Sequence, residues 1–426
     1  MKPLTKMPLV EELDDKLEVV ADLWEGTTQV QEQSSKYLPK EPHESTANYS
    51  IRLQRSILEP YFKNAVIDNV AKMFGNEPTL TTTIPVEIYE DIDEDRNDYV
   101  EFAKRASVNA LRDGTGYILV EYPQLDVDAD LSITTSSRPY WIHIKQDQLL
   151  EASPAYANGK KTLGIFRFKE IYSYRVDEFE IKYVEQIREY RNNNGVVTYR
   201  IFRNNTGAWV VFEEGVISLS EIPVTQINFR PVGYFLGTPV FFDLAQMNIV
   251  HYQLTSDLLN ILHMSQVPML KLKGYQSAFD DNGIKQEITI SPNTVIEFSN
   301  PEGDASWVEI AGSGIMVAQD QIRIIEEKME KLANDLITSE PTNTATEVVA
   351  NSIESQAVLE SFKAKVEQAI NDALRFTEDY LGIANTSVFD MSTLKLEQNP
   401  TGIETTTSVG PIDPMEETDN TPTENT

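Results

Sequence analysis

The chain contains no cysteine, which removes disulfides, thiol nucleophiles and thiolate metal sites together. That composition fits a reducing compartment. Histidine is nearly as scarce, with His43, His143, His251 and His263 far apart in sequence. His251 and His263 fall on one expected helix, yet roughly three turns separate them, too far for a joint metal site. A structural role is expected for all four. No run approaches the roughly 18 consecutive apolar residues of a membrane span, so no membrane partner is expected. Met1 to Lys6 is not followed by an apolar stretch, so a secretory signal is not expected either. The phosphate-cradling GxxxxGK[ST] pattern, the HExxH zinc pattern and the GxSxG elbow are all missing. No enzyme activity, cofactor or metal is expected from this chain.

Basic residues are the other shortage: 36 Lys and Arg face 67 Asp and Glu, a formal charge of −31. Tight binding to nucleic acid needs the opposite sign, because counterion release from phosphates drives it. The default meaning of such acidity is solubility through self-repulsion. A sharper meaning is a surface past which a polyanion slides without sticking.

What is present is enough for real cores. The 426 residues are 41% apolar, which suits two or three domains or one protomer of segmented parts. The spacing of Leu13, Leu17, Val20 and Trp24 predicts a helix over 9–24, and a polar stretch holding Tyr37-Leu38-Pro39 follows. A longer helix is predicted over 51–74, stopped by Gly75 and Pro78. Another is expected over 99–112, after the acidic run 90–95, read as an exposed helix approach. Asp113-Gly114-Thr115-Gly116 then turns into a strand over 117–122. From Pro139 to Phe229 the period moves towards two. Strands are predicted at 140–144, 163–174, 180–190, 196–203 and 209–212, an antiparallel region about half exposed. A helix is expected from Pro239 to about Gln266, followed by a small β segment turning at Asp280-Asp281-Asn282-Gly283. Past 382 a strand-like Leu394-Lys395-Leu396 remains, then a tail over 401–426 rich in Thr, Pro, Glu and Asn that reads as disordered.

Two other patterns invite chemistry and are read plainly. Asp126, Asp128 and Asp130 alternate like the start of a calcium loop, but Leu131 and Ser137 stand where glycine and glutamate are needed. A solvated acidic loop is expected there. Arg167-Phe168-Lys169 and Tyr172-Ser173-Tyr174-Arg175 interleave base and aromatic; on a strand they alternate faces, which reads as sheet packing rather than base stacking.

The most informative stretch is 313–382. A first helix carries Ile315, Ala318, Ile322, Ile325, Met329, Leu332 and Leu336 at helical spacing. A polar break follows, Thr338-Ser339-Glu340-Pro341-Thr342-Asn343-Thr344, and then a helix over 345–382, with Phe362 and Val366 on its apolar side. That helix would be roughly 55 Å long at 1.5 Å per residue, and a partner copy is one way to cover it.

The order of these parts resembles the bacteriophage portal proteins, in particular a compact portal-like type with an N-terminal helix and a Tyr-Leu-Pro motif. The carrying residues are Tyr37-Leu38-Pro39, Tyr61 to Ala65, Met73 to Pro78, Asp113 to Pro123 and Arg138-Pro139-Tyr140-Trp141. Ile222-Pro223-Val224 and Thr344-Ala345-Thr346-Glu347 complete the set, over about residues 10–385. The resemblance implies an α+β, portal-type elongated protomer. Residues 1–237 would be the wing, 238–267 and 313–336 the two stem helices, and 268–312 the clip. Residues 337–344 would be the tunnel loop, 345–385 a long helix from wing towards crown, and 386–426 a short strand and acidic tail, so any crown is minimal. It implies a ring, expected with twelve copies, that conducts double-stranded DNA non-specifically at one capsid vertex, assembled in the host cytoplasm. Its partners would be a terminase motor, a tail adaptor and the major capsid protein. Residues 338–344 would lie nearest DNA, and Asp280, Asp281, Asn282 and Lys285 would dock partners. Leu244, Leu258, Ile322, Ile325, Met329, Phe362 and Val366 would pack between subunits. A different self-assembling virion component, such as a tail or adaptor protein, is the competing reading; a carboxylate-based hydrolase is a third.

Overall fold

The computed structural model describes residues 2–122, 137–157, 159–205, 207–265, 269–274, 298, 301–308, 312–334 and 345–391. The first third is mainly helical: α1 (Pro8–Glu11), α2 (Asp14–Glu25), α3 (Thr27–Glu32), α4 (Thr46–Arg55), α5 (Tyr61–Met73), the short strand β1 (Thr79–Thr81), α6 (Val86–Tyr89) and α7 (Tyr99–Asp113). Strands follow: β2 (Thr115–Glu121), β3 (Tyr140–Lys145), β4 (Leu149–Ala157), β5 (Lys160–Arg175), β6 (Ile181–Asn193), β7 (Val196–Asn205), β8 (Ala208–Val216), β9 (Val224–Asn228), β10 (Pro231–Gly233) and β11 (Leu236–Gly237). The last part holds α8 (Phe242–Ser265), β12 (Met269–Lys273), β13 (Asp304–Val308), α9 (Gly312–Asn334), α10 (Ala345–Leu381) and β14 (Val388–Asp390). The fold class is α+β, as expected.

Two helix predictions change. The helix expected over 9–24 is split between α1 and α2 at Glu12 and Leu13. The one expected over 51–74 is two helices, because Pro60 has no N–H to continue the ladder and disfavours a helical residue before it. Ser56 leaves the helical region, with φ −75° and ψ 130°. Its backbone N–H and hydroxyl both donate to Arg52 O, and Gln31 donates back to Ser56 O, so Ser56 keeps its backbone groups bonded where the helix ends. The acidic run 90–95 is only partly solvated: Glu90, Glu94 and Asp95 are exposed, as expected, while Asp93 is held inward. The Asp93 side chain is 3% exposed, bonded to Arg105 at 2.7 Å, to Asn97 Nδ2 at 2.9 Å and to the backbone N–H of Asp95 at 3.0 Å. The short strand after residue 382 is β14, antiparallel to β1; Leu394 to Leu396 lie outside the described residues.

The β region divides into two main sheets. One is three-stranded, β3-β2-β9, and the other five-stranded, β4-β5-β6-β7-β8, both antiparallel. Strand β2 reads Tyr-Ile-Leu-Val with no polar alternation, and it is buried on both faces. Ile118 and Val120 join the larger core, built mainly from α2, α5, α7, α8 and α10. Tyr117 and Leu119 point the other way, into a second core with Phe166, Phe168 and Tyr190 of the five-stranded sheet. Arg188 locks the two sheets together: its Nη1 lies 2.5 Å from both carboxylate oxygens of Glu121, and its Nε donates to Glu170 at 3.0 Å. Burial alone would push the Arg188 pKa down; Tyr190, Glu121 and Glu170 hold it well above its ordinary value.

Candidate assembly surface

Helices α8 and α9 form an antiparallel hairpin joined through the β12–β13 pair. Met269 faces Val308 in that pair, and the helices leave it side by side. His251 and Glu326, equally far from the strands along each helix, meet at 3.2 Å. The histidine is 2% exposed and packs edge-on to Tyr61 at 5.3 Å, a structural role as expected from sequence. At 1.5 Å per residue each helix runs roughly 35 Å.

The hairpin is covered unevenly. Near its base α8 buries Leu244, Ala245 and Tyr252 in the helical core, beside Ile325 and Met329 of α9. Beyond Ser256 no residue of α8 is buried, although that stretch holds Leu258, Leu259, Ile261, Leu262 and Met264. On α9, Met316 is 66% and Val317 69% exposed, and Ile324 lies open as well. A helix this rich in apolar residues belongs in an interior. Among the described residues, the distal part of this one is only partly covered.

The expected packing set divides. Leu244, Ile322, Ile325, Met329, Phe362 and Val366 are buried inside this chain, all but Ile322 within the main core. Of the seven, Leu258 alone keeps partial exposure. Apolar periodicity reports which side of a helix is covered, not by which chain. Asp280, Asp281, Asn282 and Lys285, and all of Thr338, Ser339, Glu340, Pro341, Thr342, Asn343 and Thr344, lie outside the described residues; so do Asp126, Asp128 and Asp130.

Helix α10 is anchored through its second half. Val366, Ala369, Ile370, Ala373 and Leu374 are buried, Trp141 Nε1 donates to Thr377 Oγ1 at 2.9 Å, and Glu378 Oε1 accepts the N–H groups of Thr386 and Ser387. Gly382, at φ +65°, ends the helix, and the Ile383 N–H reaches back to Glu378 O at 3.1 Å.

Two further features were missed by sequence reading. A cavity of about 490 Å³ lies between the start of β5, the segment from Glu221 to Phe235, and α10. Lys161, Lys365 and Arg375 line it with Glu221 and Asp372, over a floor that includes Leu163 and Phe376. Lys161 Nζ stands 4.4 Å from the Tyr234 ring, and Arg375 lies 4.2 Å over the Phe376 ring, reaching Glu221 at 3.4 Å and Asp379 at 3.5 Å. Burial, with Glu221 adding to it, holds the Asp372 carboxyl above the usual range against the pull of Arg375. The second feature is the outer part of the β5–β6 hairpin, from Ile171–Glu185 to Arg175–Ile181, which pairs with neither β4 nor β7. Its faces carry Tyr172, Tyr174 and Val184 on one side, Ile171, Tyr183 and Ile181 on the other. Ile171 is 73%, Tyr183 74% and Phe179 at the tip 90% exposed. The available signal was apolar residues at adjacent positions, Ile171-Tyr172 and Tyr183-Val184. As in β2, that pattern asks for cover on both faces.

Among the described residues there is no cluster of metal-ligating side chains and no helix long and apolar enough to cross a membrane. A family model described as "Domain of unknown function (DUF4055)" matches residues 240–381, about a third of the chain. No curated protein matches. Two solved structures are similar at 12% identity, covering 80% of this chain and 82% of theirs. One is a chain of the neck of an empty gene transfer agent particle, at a TM-score of 0.41. The other is from the virion of a native gene transfer agent particle, at 0.40. Likeness at that level leaves the function to the geometry of the chain itself.

Proposed function

We propose that this chain is a non-enzymatic structural component of a phage-like particle, assembling with copies of itself into a portal ring around a channel for double-stranded DNA. One observation carries the reading: among the described residues, the distal apolar residues of the α8–α9 hairpin, from Leu258 to Met264 and Met316 to Val317, are partly or wholly exposed. Side-by-side packing of such hairpins around an axis supplies that cover, and a closed ring removes every open edge. In this reading α8 and α9 are the stem, β12–β13 the start of the clip, and residues 337–344 the loop nearest DNA. The acidic balance of the chain keeps the passing polyanion from sticking. Terminase, tail adaptor and major capsid protein are the proposed partners, with ATP hydrolysis left to the motor.

Negative-stain microscopy of the purified protein tests this directly. Rings with an axial hole, about twelve-fold, are expected; a monodisperse monomer at micromolar concentration sinks the proposal. The loop has its own test. Replacing Thr342, Asn343 and Thr344 together by lysine should leave rings intact and impair DNA packaging, and unimpaired packaging refutes its position beside DNA.

A further inference from the structure

The tip of the β5–β6 hairpin and the cavity at the start of β5 are complementary. Phe179 stands 90% exposed on a turn fixed by Asp177, whose Oδ1 accepts the N–H groups of Phe179 and Glu180, both at 2.8 Å. Arg175 closes the same turn by donating to Glu178 O at 2.8 Å. The turn therefore presents one aromatic ring framed by Asp177, Glu178 and Glu180. The cavity has the converse character: an apolar floor with Phe376 and Leu163, and Lys161, Lys365 and Arg375 around it. Its 490 Å³ is ample for one phenyl ring and the flanking turn. In a chain of net charge −31, a site where cations outnumber carboxylates stands apart.

The two features lie at opposite ends of the same strand. Lys161 is next to the first residue of β5 and the turn begins just past its last, Arg175. That is roughly 45 Å of strand at 3.3 Å per residue. A chain cannot place its own tip in its own cavity, whereas a second copy, arranged head to tail, can. A donor at one end and an acceptor at the other is the heterologous arrangement that closes into a ring when the rotation permits.

We propose that the Phe179 turn of one copy seats in the Lys161–Lys365–Arg375 cavity of the next, a head-to-tail contact outside the stem. This inference rests on the reading of the chain as a self-assembling ring. It also accounts for a two-stranded arm, apolar on both faces, that would be marginal in water by itself: the neighbour covers it.

The absence of cysteine makes the test clean. Glu180→Cys, which keeps the Phe179 ring, and Gln368→Cys are made in separate chains, Gln368 being a further residue of the cavity lining, and the two are mixed under assembly conditions and oxidised. A disulfide-linked dimer is expected in the mixture and in neither variant alone. In parallel, F179S is expected to weaken association about tenfold or more, as loss of a buried aromatic anchor does. Its helix and strand content by circular dichroism should stay unchanged, since an exposed ring contributes nothing to the single fold. Rings of wild-type protein without the cross-link, or F179S rings as stable as wild type, overturn this contact and leave the ring reading standing. Wild-type protein that never assembles overturns both.

Discussion

His143 shows what a single residue contributes when its environment is set by the fold. Its Nε2 is sealed against Gly116, with no protein partner among the described residues, and burial lowers its pKa from 6.5 to about 3. The folded chain thus keeps this base neutral, while the unfolded chain takes up a proton as pH falls through 6.5. Stability is full above 6.5 and declines as pH falls towards 3. Between pH 7.5 and 5 this one group should cost about 2 kcal/mol. Denaturant titrations at both pH values should show that loss in wild type and a much smaller one in His143→Leu. Gly114 is the companion case. Its φ of +105° lies in the region that favours glycine, and a Cβ there would meet the Thr238 carbonyl carbon at 2.5 Å. Gly114→Ala should destabilise by about 3 kcal/mol or more, seen as a lowered urea midpoint. Sequence placed a turn at Asp113-Gly114 on the strength of glycine chemistry alone. Nothing in sequence marked His143 as sealed, because the groups that seal it come from other strands and helices.

At the scale of elements, sequence pattern located the long helices, the apolar run of β2, and strands β3 and β5 to β8, where coverage on one side sets the period; it missed α3, α6, β1, β4 and β9. Its failures have separate causes. Pro60 split a helix whose apolar spacing runs on regardless. The Asp93 carboxylate is drawn inward by its partners Arg105 and Asn97, which no charge count reveals. The Arg188 clamp is likewise a product of register: Glu121 on β2 and Glu170 on β5 come to one guanidinium only once both sheets are stacked. Arg188→Ala leaves two carboxylates facing each other with little solvent. It should destabilise by about 2–3 kcal/mol, less than a fully buried pair because Glu121 keeps 23% of its side-chain surface.

For the whole molecule the governing quantity is charge. Copies of a chain with net charge −31 repel one another, and salt screens that repulsion over about 10 Å at 0.1 M. Assembly should therefore strengthen as ionic strength rises from about 50 to 500 mM, read as the ring fraction by mass photometry; rings that weaken with salt would contradict repulsion-limited assembly. Composition alone determined this much: no thiol chemistry, an acidic balance ill-suited to gripping nucleic acid, and enough apolar residues for real cores. Sequence pattern added the α+β class and the helix–break–helix of the last third, since both follow from local period and breakers. Only the tertiary structure decided which apolar residues are already used. Ile325, Met329 and Val366 carry the same helical signature as Leu258, yet the first three are buried among described residues of their own chain and Leu258 keeps partial exposure. Period records that a side chain needs cover; the arrangement of distant elements decides whether that cover is already present or must come from another molecule.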